Sequence, residues 1–349
     1  MVTMALLKDH LCEKALSLGF SGLGVSYPLL EAHGDWLQQW WDKGYGGTMA
    51  YLVRHGAKRW IIKELVAESC CVISLLYPSW PQGANTDEAL ANPDTAYIAR
   101  YALGRDYHKV LRKRLSQLCH WLDEQVPGSI QRGFVDSAPV LEKALAAQGG
   151  LGWIGKNTLL LNRTAGSAFY IGEIYTSIAL PADLPETAHC GSCSACMDIC
   201  PTRALVAPYQ LDATLCISYW TIESRDPIPE ALRPAFGNRI FGCDDCQWVC
   251  PWNRYAQLAK DTDLQVRHHL HQRSLADLAR LSEQDYMNLS EGSALRRCGY
   301  SGFLRNIAVG LGNARRSAEN TQAIRQLQAS DSPLVQEHAH WAARQQHLP

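Results

Sequence analysis

The sequence predicts a mixed fold, α/β or α+β, whose strands and helices are followed by a metal-organised segment and a helical end. Three observations lead there. The runs "CCVISLLYP" (Cys70–Pro78) and "AFYIGEIYTSIAL" (Ala168–Leu180) are continuous and β-rich, as strands buried on both faces are. Eight of the 13 cysteines fall between Cys190 and Cys250. Beyond residue 270, "FLRNIAVGLGNA" and "LVQEHAHWAARQ" carry helical periodicity and are separated by turn residues, which fits short antiparallel helix pairs of a solenoid end. The domain bounds follow as 1–183, 184–258 and 259–349.

In chain order, "MVTMALLKDHLCEKALSLGF" reads as an amphipathic helix with acidic residues inside its apolar stretch. It carries neither a small-residue cleavage site nor a twin-arginine pair, so a cytoplasmic protein is expected. No run approaches the ~18 apolar residues of a membrane span, and no membrane partner is expected. Amphipathic helices are predicted near 105–125, with Val110, Leu111, Leu115, Leu118 and Leu122 on one side, and near 139–148, started by Pro139. "GLGWIG" (Gly150–Gly155) has the spacing of a dinucleotide fingerprint but leads into a β-like run instead of opening a helix, so no such site is expected. A P-loop is absent.

The 349 residues, 47% hydrophobic and 19% charged, are ordinary for a globular protein. A net charge of −1 gives no global attraction to nucleic acid, but the charge is unevenly spread. "GRDYHKVLRKR" (Gly104–Arg114) is one basic surface. From Glu291 onward there are seven arginines and no lysine against four acidic residues, with Arg296, Arg297, Arg305, Arg315 and Arg316 among the helical segments. An RNA partner therefore stays open, beside the plainer reading of solvated helix faces.

"CGSCSACMDICP" (190–201) poses the chemical question, with a disulfide staple, a zinc knuckle and an iron–sulfur cluster as answers. A reducing compartment disfavours disulfides. Cys190-x2-Cys193-x2-Cys196-x3-Cys200-Pro201 is the bacterial ferredoxin spacing, in which three thiolates hold one cubane and the fourth serves a second. Cys216 and "CDDCQWVCP", with Cys243, Cys246 and Cys250, supply the rest. By this crossover Cys190, Cys193, Cys196 and Cys250 hold cluster one, and Cys200, Cys216, Cys243 and Cys246 hold cluster two. Zinc ribbons use separated C-x-x-C pairs without this third cysteine and C-P ending. The 26 residues between Cys216 and Cys243 exceed a cluster loop and are expected to face another cofactor or substrate. The remaining Cys12, Cys70, Cys71, Cys119 and Cys298 read as small buried thiols.

"FVDSAPVLEKALAAQGGLGWIGKNTLL", "CISYWTIE", "GNRIFGCDDCQWVCPWNR" and "FLRNIAVGLGN" together resemble the epoxyqueuosine reductases, over nearly the whole chain. The resemblance implies an α+β architecture: a nitroreductase-like cobalamin domain shared with reductive dehalogenases, a ferredoxin-like double-cubane module and a HEAT-like tail. It implies two 4Fe-4S clusters, base-off cobalamin, and removal of the epoxide oxygen of epoxyqueuosine in the anticodon loop of tRNA. An external electron donor is implied, and a monomer is expected.

Asp136, on local sequence a helix-capping aspartate, becomes by resemblance the proton donor and a cofactor contact. A carboxyl acting near neutrality needs its pKa raised, for which Phe134 and Trp153 are the expected apolar surroundings. Cobalamin contacts carried over by resemblance are Arg59, Asn157, Ser218, Asp244 and Asp245, although "GAKRWIIKELV" departs from the family pattern, which usually places a proline soon after that arginine. Asp106-Tyr107-His108 matches the start of D-x-H-x-x-G, but Leu111 replaces the glycine, so no histidine ligand to cobalt is expected. Arg296, Arg297 and Arg305 are the expected tRNA contacts. Two other functions remain: a corrinoid reductive dehalogenase, which usually carries a twin-arginine signal, and an electron-transfer ferredoxin, which would need neither cobalamin nor tRNA.

Overall fold

The structure, a computed structural model, describes residues 3–348. Among these, ten strands run in chain order: β1 (Gly22–Ser26), β2 (Cys71–Pro78), β3 (Tyr97–Ile98), β4 (Gln131–Phe134), β5 (Trp153–Ile154), β6 (Leu160–Leu161), β7 (Phe169–Thr176), β8 (Leu205–Ala207), β9 (Gln210–Leu211) and β10 (Arg239–Phe241). The main sheet has the order β1-β2-β7-β4. Its neighbours are antiparallel throughout. The two continuous apolar runs of the sequence are its central strands, β2 and β7, paired along their full length from Cys71↔Thr176 to Pro78↔Phe169. Their burial on both faces explains why neither run alternates.

One face of this sheet is covered by the helices Met4–Ser17 and Tyr107–Gln125, through Leu7, Leu11, Leu111, Leu115 and Leu118 packed on Ile73, Leu75 and Ile174. The second helix starts where Asp106 accepts a hydrogen bond from the His108 N–H at 3.0 Å. The helix Glu142–Gln148 covers the other face, with Ala144 and Leu145 against Val72, Phe134 and Tyr175. It begins three residues after Pro139, which stands in the preceding loop and does not start it.

The helical end consists of Gly299–Asn313, Ala318–Gln328 and Pro333–Gln345, preceded by the short helices Leu275–Ala279 and Glu283–Leu289. Its core extends far up the chain. Phe303, Ile307, Leu311 and Trp341 share one buried cluster with Trp40, Ile98, Leu103, Tyr219, Phe236 and Phe241. The parallel pairing of β3 with β10 stitches residues 97–98 to 239–241.

Arg305 corrects one expectation. It is fully buried and makes no surface for tRNA. Its guanidinium donates to the carbonyls of Ser224 (3.1 Å), Asp226 (2.8 Å) and Trp220, and to Asn306 Oδ1. Asn306 in turn donates to the carbonyls of Thr221 and Ile240. The pair therefore fixes the long insertion after Cys216, which begins with a π-helical turn at Tyr219–Glu223. Among the described residues, no helix is long and apolar enough to cross a membrane.

Candidate active site and cluster ligands

All 13 cysteines are free thiols. Cys190, Cys193, Cys196 and Cys250 line one cavity of about 220 Å³, together with Lys156, Asn157 and Trp252. Cys250 comes from a segment 54 residues beyond Cys196, as the crossover requires. Burial pushes the Cys196 thiol up, and the thiols around it are Cys250, Cys190 and Cys193. Cys246 is likewise pushed up by burial, with Cys216 and Cys200 as its nearest thiols. Cys243 lies in the same loop, its Sγ 2.6 Å from Asp245 Oδ2. Cys196 thus stands among the thiols expected for cluster one, and Cys246 beside two of those expected for cluster two and beside Cys196. Among the described residues, no three His, Cys, Asp or Glu side chains converge on one ion position. Four thiols spread around a cavity suit a multi-atom cluster better than a single tetrahedral ion.

The local architecture supports that geometry. Lys156 Nζ donates to the carbonyls of Gly191 (2.7 Å) and Cys193 (2.8 Å), tying the β5–β6 hairpin to the first thiol loop. Asn157 is buried between the two thiol sets and donates to the Cys246 carbonyl at 3.1 Å. Cys193 is the exposed thiol of its set.

Asp136 lies just past β4 and has a left-handed backbone (φ 46°), tolerable for aspartate. Its N–H donates to Glu142 Oε1. Its Oδ2 receives the Tyr107 hydroxyl at 2.7 Å and faces His108 Nε2 at 3.1 Å. The other ring nitrogen of His108 lies 2.7 Å from Asp106 Oδ1. The Tyr107 ring is stacked on Tyr170 at 4.3 Å and 5°, which fixes its hydroxyl. Asp136 keeps 55% of its side chain exposed, while Tyr107 and His108 are half-buried.

The electrostatics differ from the expected apolar pocket. Burial raises the Asp136 pKa, but hydrogen bonds from His108 and Tyr107, with the charges of His108 and Arg297, outweigh it and hold the carboxyl below its ordinary value. Phe134 packs against Tyr175 in the sheet core, and Trp153 lies against His189 and Trp252 near cluster one. His108, despite burial, is pushed up to about 9 by Asp106 and Asp136. Glu142, which the sequence did not single out, is pushed up to about 8 by burial and by the charge of Asp136.

Close enough to act on Asp136, Arg297 pairs with Glu223 at 2.6 Å and stands 5.7 Å over the Tyr51 ring. Arg296 is exposed, with Nη2 3.4 Å from Met287 Sδ. Arg59 is buried, donates to the Tyr51 carbonyl at 2.7 Å, and leaves its Nε without a protein partner. Ser218 heads the π-helical turn and bonds the Cys216 thiol. Asp244 is buried and accepts from the Tyr97 hydroxyl and the Arg100 N–H, both at 2.8 Å. Asp245 is occupied by Arg239, at 2.7 and 2.6 Å. The orphaned Arg59 Nε fits a ligand bearing hydrogen-bond acceptors such as amides and a phosphate, as cobalamin does.

Two family models match the chain: "Epoxyqueuosine reductase QueG, DUF1730" over residues 59–137 and "4Fe-4S double cluster binding domain" over 189–253. The epoxyqueuosine reductase of Pseudomonas aeruginosa is 52% identical over 328 residues, covering 94% of this chain and 91% of the relative. That of Salmonella typhimurium is 47% identical over 97% of this chain and 88% of its own length. Among solved structures, an epoxyqueuosine reductase with an epoxyqueuosine-modified tRNA-Tyr stem loop superposes with a TM-score of 0.89 at 27% identity. The match covers 98% of this chain and 91% of that one.

Proposed function

The chain belongs to the epoxyqueuosine reductase family, and on that premise we propose that it reduces epoxyqueuosine to queuosine in the anticodon loop of tRNA. The observation that carries this reading is the exposed Asp136 carboxyl, anchored by Tyr107 and His108, in a chain whose clustered cysteines match the double-cluster family model. Epoxide plus two electrons and two protons gives alkene plus water, so the site must meter both. The eight clustered cysteines would hold two 4Fe-4S clusters, which would supply single-electron relay from an external donor. Cobalamin, when bound, supplies the strongly reducing nucleophilic centre.

The protein's own groups position and protonate. Asp136 passes to the departing oxygen a proton that the charged His108 supplies at 3.1 Å, with Tyr107 aiming the carboxyl. Arg59, Asn157, Ser218 and Asp244 would hold the cofactor, while Asp245 is paired with Arg239. The modified base, single-stranded in its loop, is splayed toward Asp136. Arg296 and Arg297 meet the phosphates, where a planar guanidinium donates two hydrogen bonds to one group. The reading takes the protein to be a cytoplasmic monomer.

The test is anaerobic incubation of the reconstituted holoprotein with tRNA carrying epoxyqueuosine and a chemical reductant, followed by nucleoside mass spectrometry. Conversion to queuosine, dependent on added cobalamin, is expected. Fully loaded protein that leaves the epoxide intact overturns the reading.

A further inference from the structure

The cavity of cluster one opens through a rim of a single charge sign. Lys156, His189 and Arg254 line it beside the four thiols, and its lining includes no aspartate or glutamate. Lys156 Nζ is bonded only to the carbonyls of Gly191 and Cys193, at 2.7 and 2.8 Å. Arg254 is exposed, and its guanidinium lies 4.7 Å over the Tyr255 ring. Neither cation is neutralised by a carboxylate among the described residues. Cys193, alone among the cysteines, is exposed, so a cluster bound here comes nearest to solvent at this edge.

The surface beside the opening has the make-up of an interface. Tyr255 is 43% exposed and Tyr209 42%. Tyr255 leads inward to Trp252, a wall of the cavity, with ring centroids 6.1 Å apart. The Tyr209 N–H donates to the Lys156 carbonyl at 3.0 Å, which places it beside the rim. Exposed tyrosine and arginine are residue types that anchor protein interfaces. Two carboxylates stand nearby, and both are engaged: Glu186 by Arg163, and Asp198 by the Ser194 hydroxyl at 2.6 Å. A cubane held by four thiolates is itself negative, so without cations at its mouth the opening would repel an anionic partner.

We propose that this face is the docking surface of a small acidic electron-carrier protein, which delivers electrons at the Cys193 edge. The inference rests on the functional reading above, which needs an external donor and leaves its chemistry open. In each encounter the reduced carrier loses one electron and the oxidised cluster gains it. Two encounters supply the two electrons that one epoxide takes up. The rim defines the partner: carboxylates to face Lys156 and Arg254, and apolar surface around its own redox centre to pack on Tyr255 and Tyr209. Charges at a rim speed encounter more than they prolong the complex, which suits a carrier that must leave after each electron.

The probe is a flavodoxin, an acidic carrier, mixed anaerobically with the reconstituted full-length protein; reduced methyl viologen, a small cation, is the control. Titration with oxidised flavodoxin measures binding without electron transfer, and bleaching of the cluster absorbance by reduced flavodoxin gives the second-order rate. Both are expected to weaken as salt rises. Arg254→Glu is expected to slow reduction by flavodoxin about tenfold at low salt, with its iron retained and its reduction by viologen not slowed. Flavodoxin binding that is indifferent to salt, or equal in Arg254→Glu and wild type, would overturn the docking surface. A loss of tRNA affinity with flavodoxin binding unchanged would also overturn it, and make the rim an RNA surface. If Arg254→Glu loses its iron, Arg254→Gln and the wild-type salt series decide. Clusters that flavodoxin reduces normally, in a protein that leaves epoxyqueuosine intact, would overturn the functional reading instead.

Discussion

His108 Nε2 stands 3.1 Å from Asp136 Oδ2, the same oxygen that receives the Tyr107 hydroxyl at 2.7 Å. Both partners gather on one oxygen, and Oδ1 has no hydrogen-bond partner among the described residues. The arrangement separates aiming from delivery: one oxygen is anchored while the other is left for the substrate.

The first prediction follows from that anchor. With a pKa near 9, His108 is charged at neutral pH and becomes neutral as the pH rises through about 9. Its charge lowers the Asp136 pKa, so removing it lets that pKa rise toward its ordinary value. His108→Ala is expected to lose about 10²-fold in kcat, because the carboxyl is no longer supplied with a proton, and to lack the alkaline limb near pH 9. A kcat–pH profile of both proteins checks this; a wild-type-like alkaline limb in His108→Ala would show that another group titrates there.

Cys250 tests the crossover. Cys250→Ser is expected to cut the iron of anaerobically reconstituted protein from about eight to about four per chain, despite the distance of Cys250 from the other thiols of cluster one. Iron analysis with absorbance before and after dithionite measures it. Full retention of eight irons would reassign the ligand.

The adjacent arginines should behave differently. Arg296 projects outward, so Arg296→Ala should flatten the slope of log affinity for tRNA against log salt by about 0.7–0.9 and leave kcat alone. Arg297 is paired with Glu223 and close enough to influence Asp136, so Arg297→Ala should lower kcat as well. Salt-dependent binding and single-turnover rates on the two variants separate them. Identical profiles would remove the distinction.

Arg305 predicts stability. Its guanidinium is wholly buried and spent on carbonyls of the 220–226 segment and on Asn306. Arg305→Ala is expected to destabilise the fold by about 3–5 kcal/mol, and Arg305→Lys to recover little, since an ammonium cannot span the same acceptors. Denaturant unfolding reads the loss; a shift under about 1 kcal/mol for the alanine variant would contradict the structure.

How far the sequence spoke depended on how local each signal was. The cysteine spacing is local chemistry, so the double-cluster segment was legible. The central strands were equally plain, since apolar burial on both faces leaves an unbroken run. Asp106-Tyr107-His108 was visible but misleading: it resembles a cofactor motif, whereas in the fold Asp106 caps a helix and His108 bridges two carboxylates. Asp136 itself came only through resemblance, and its expected apolar setting failed because Tyr107 and His108 arrive from a helix that folds back from 28 residues earlier. Arg305 was misjudged by its charge. Its apolar neighbours Phe303, Leu304, Ile307 and Ala308 were the missed sign of an inward-facing position. Glu142 gave no pattern, since it is a single acidic letter in an element of ordinary composition.

The cluster that unites Trp40 and Ile98 with Phe303 and Trp341 has a consequence for how the protein is born. A ribosome delivers the chain from its amino end, so Trp40 and Ile98 emerge long before the helices that cover them. During most of translation those side chains stay without their final neighbours, and the nascent protein carries exposed apolar surface that invites chaperones or aggregation. The parallel strand β10, which fastens β3, also arrives late. Premature termination inside the last helices would thus leave this cluster open, while the core of the main sheet keeps its own neighbours.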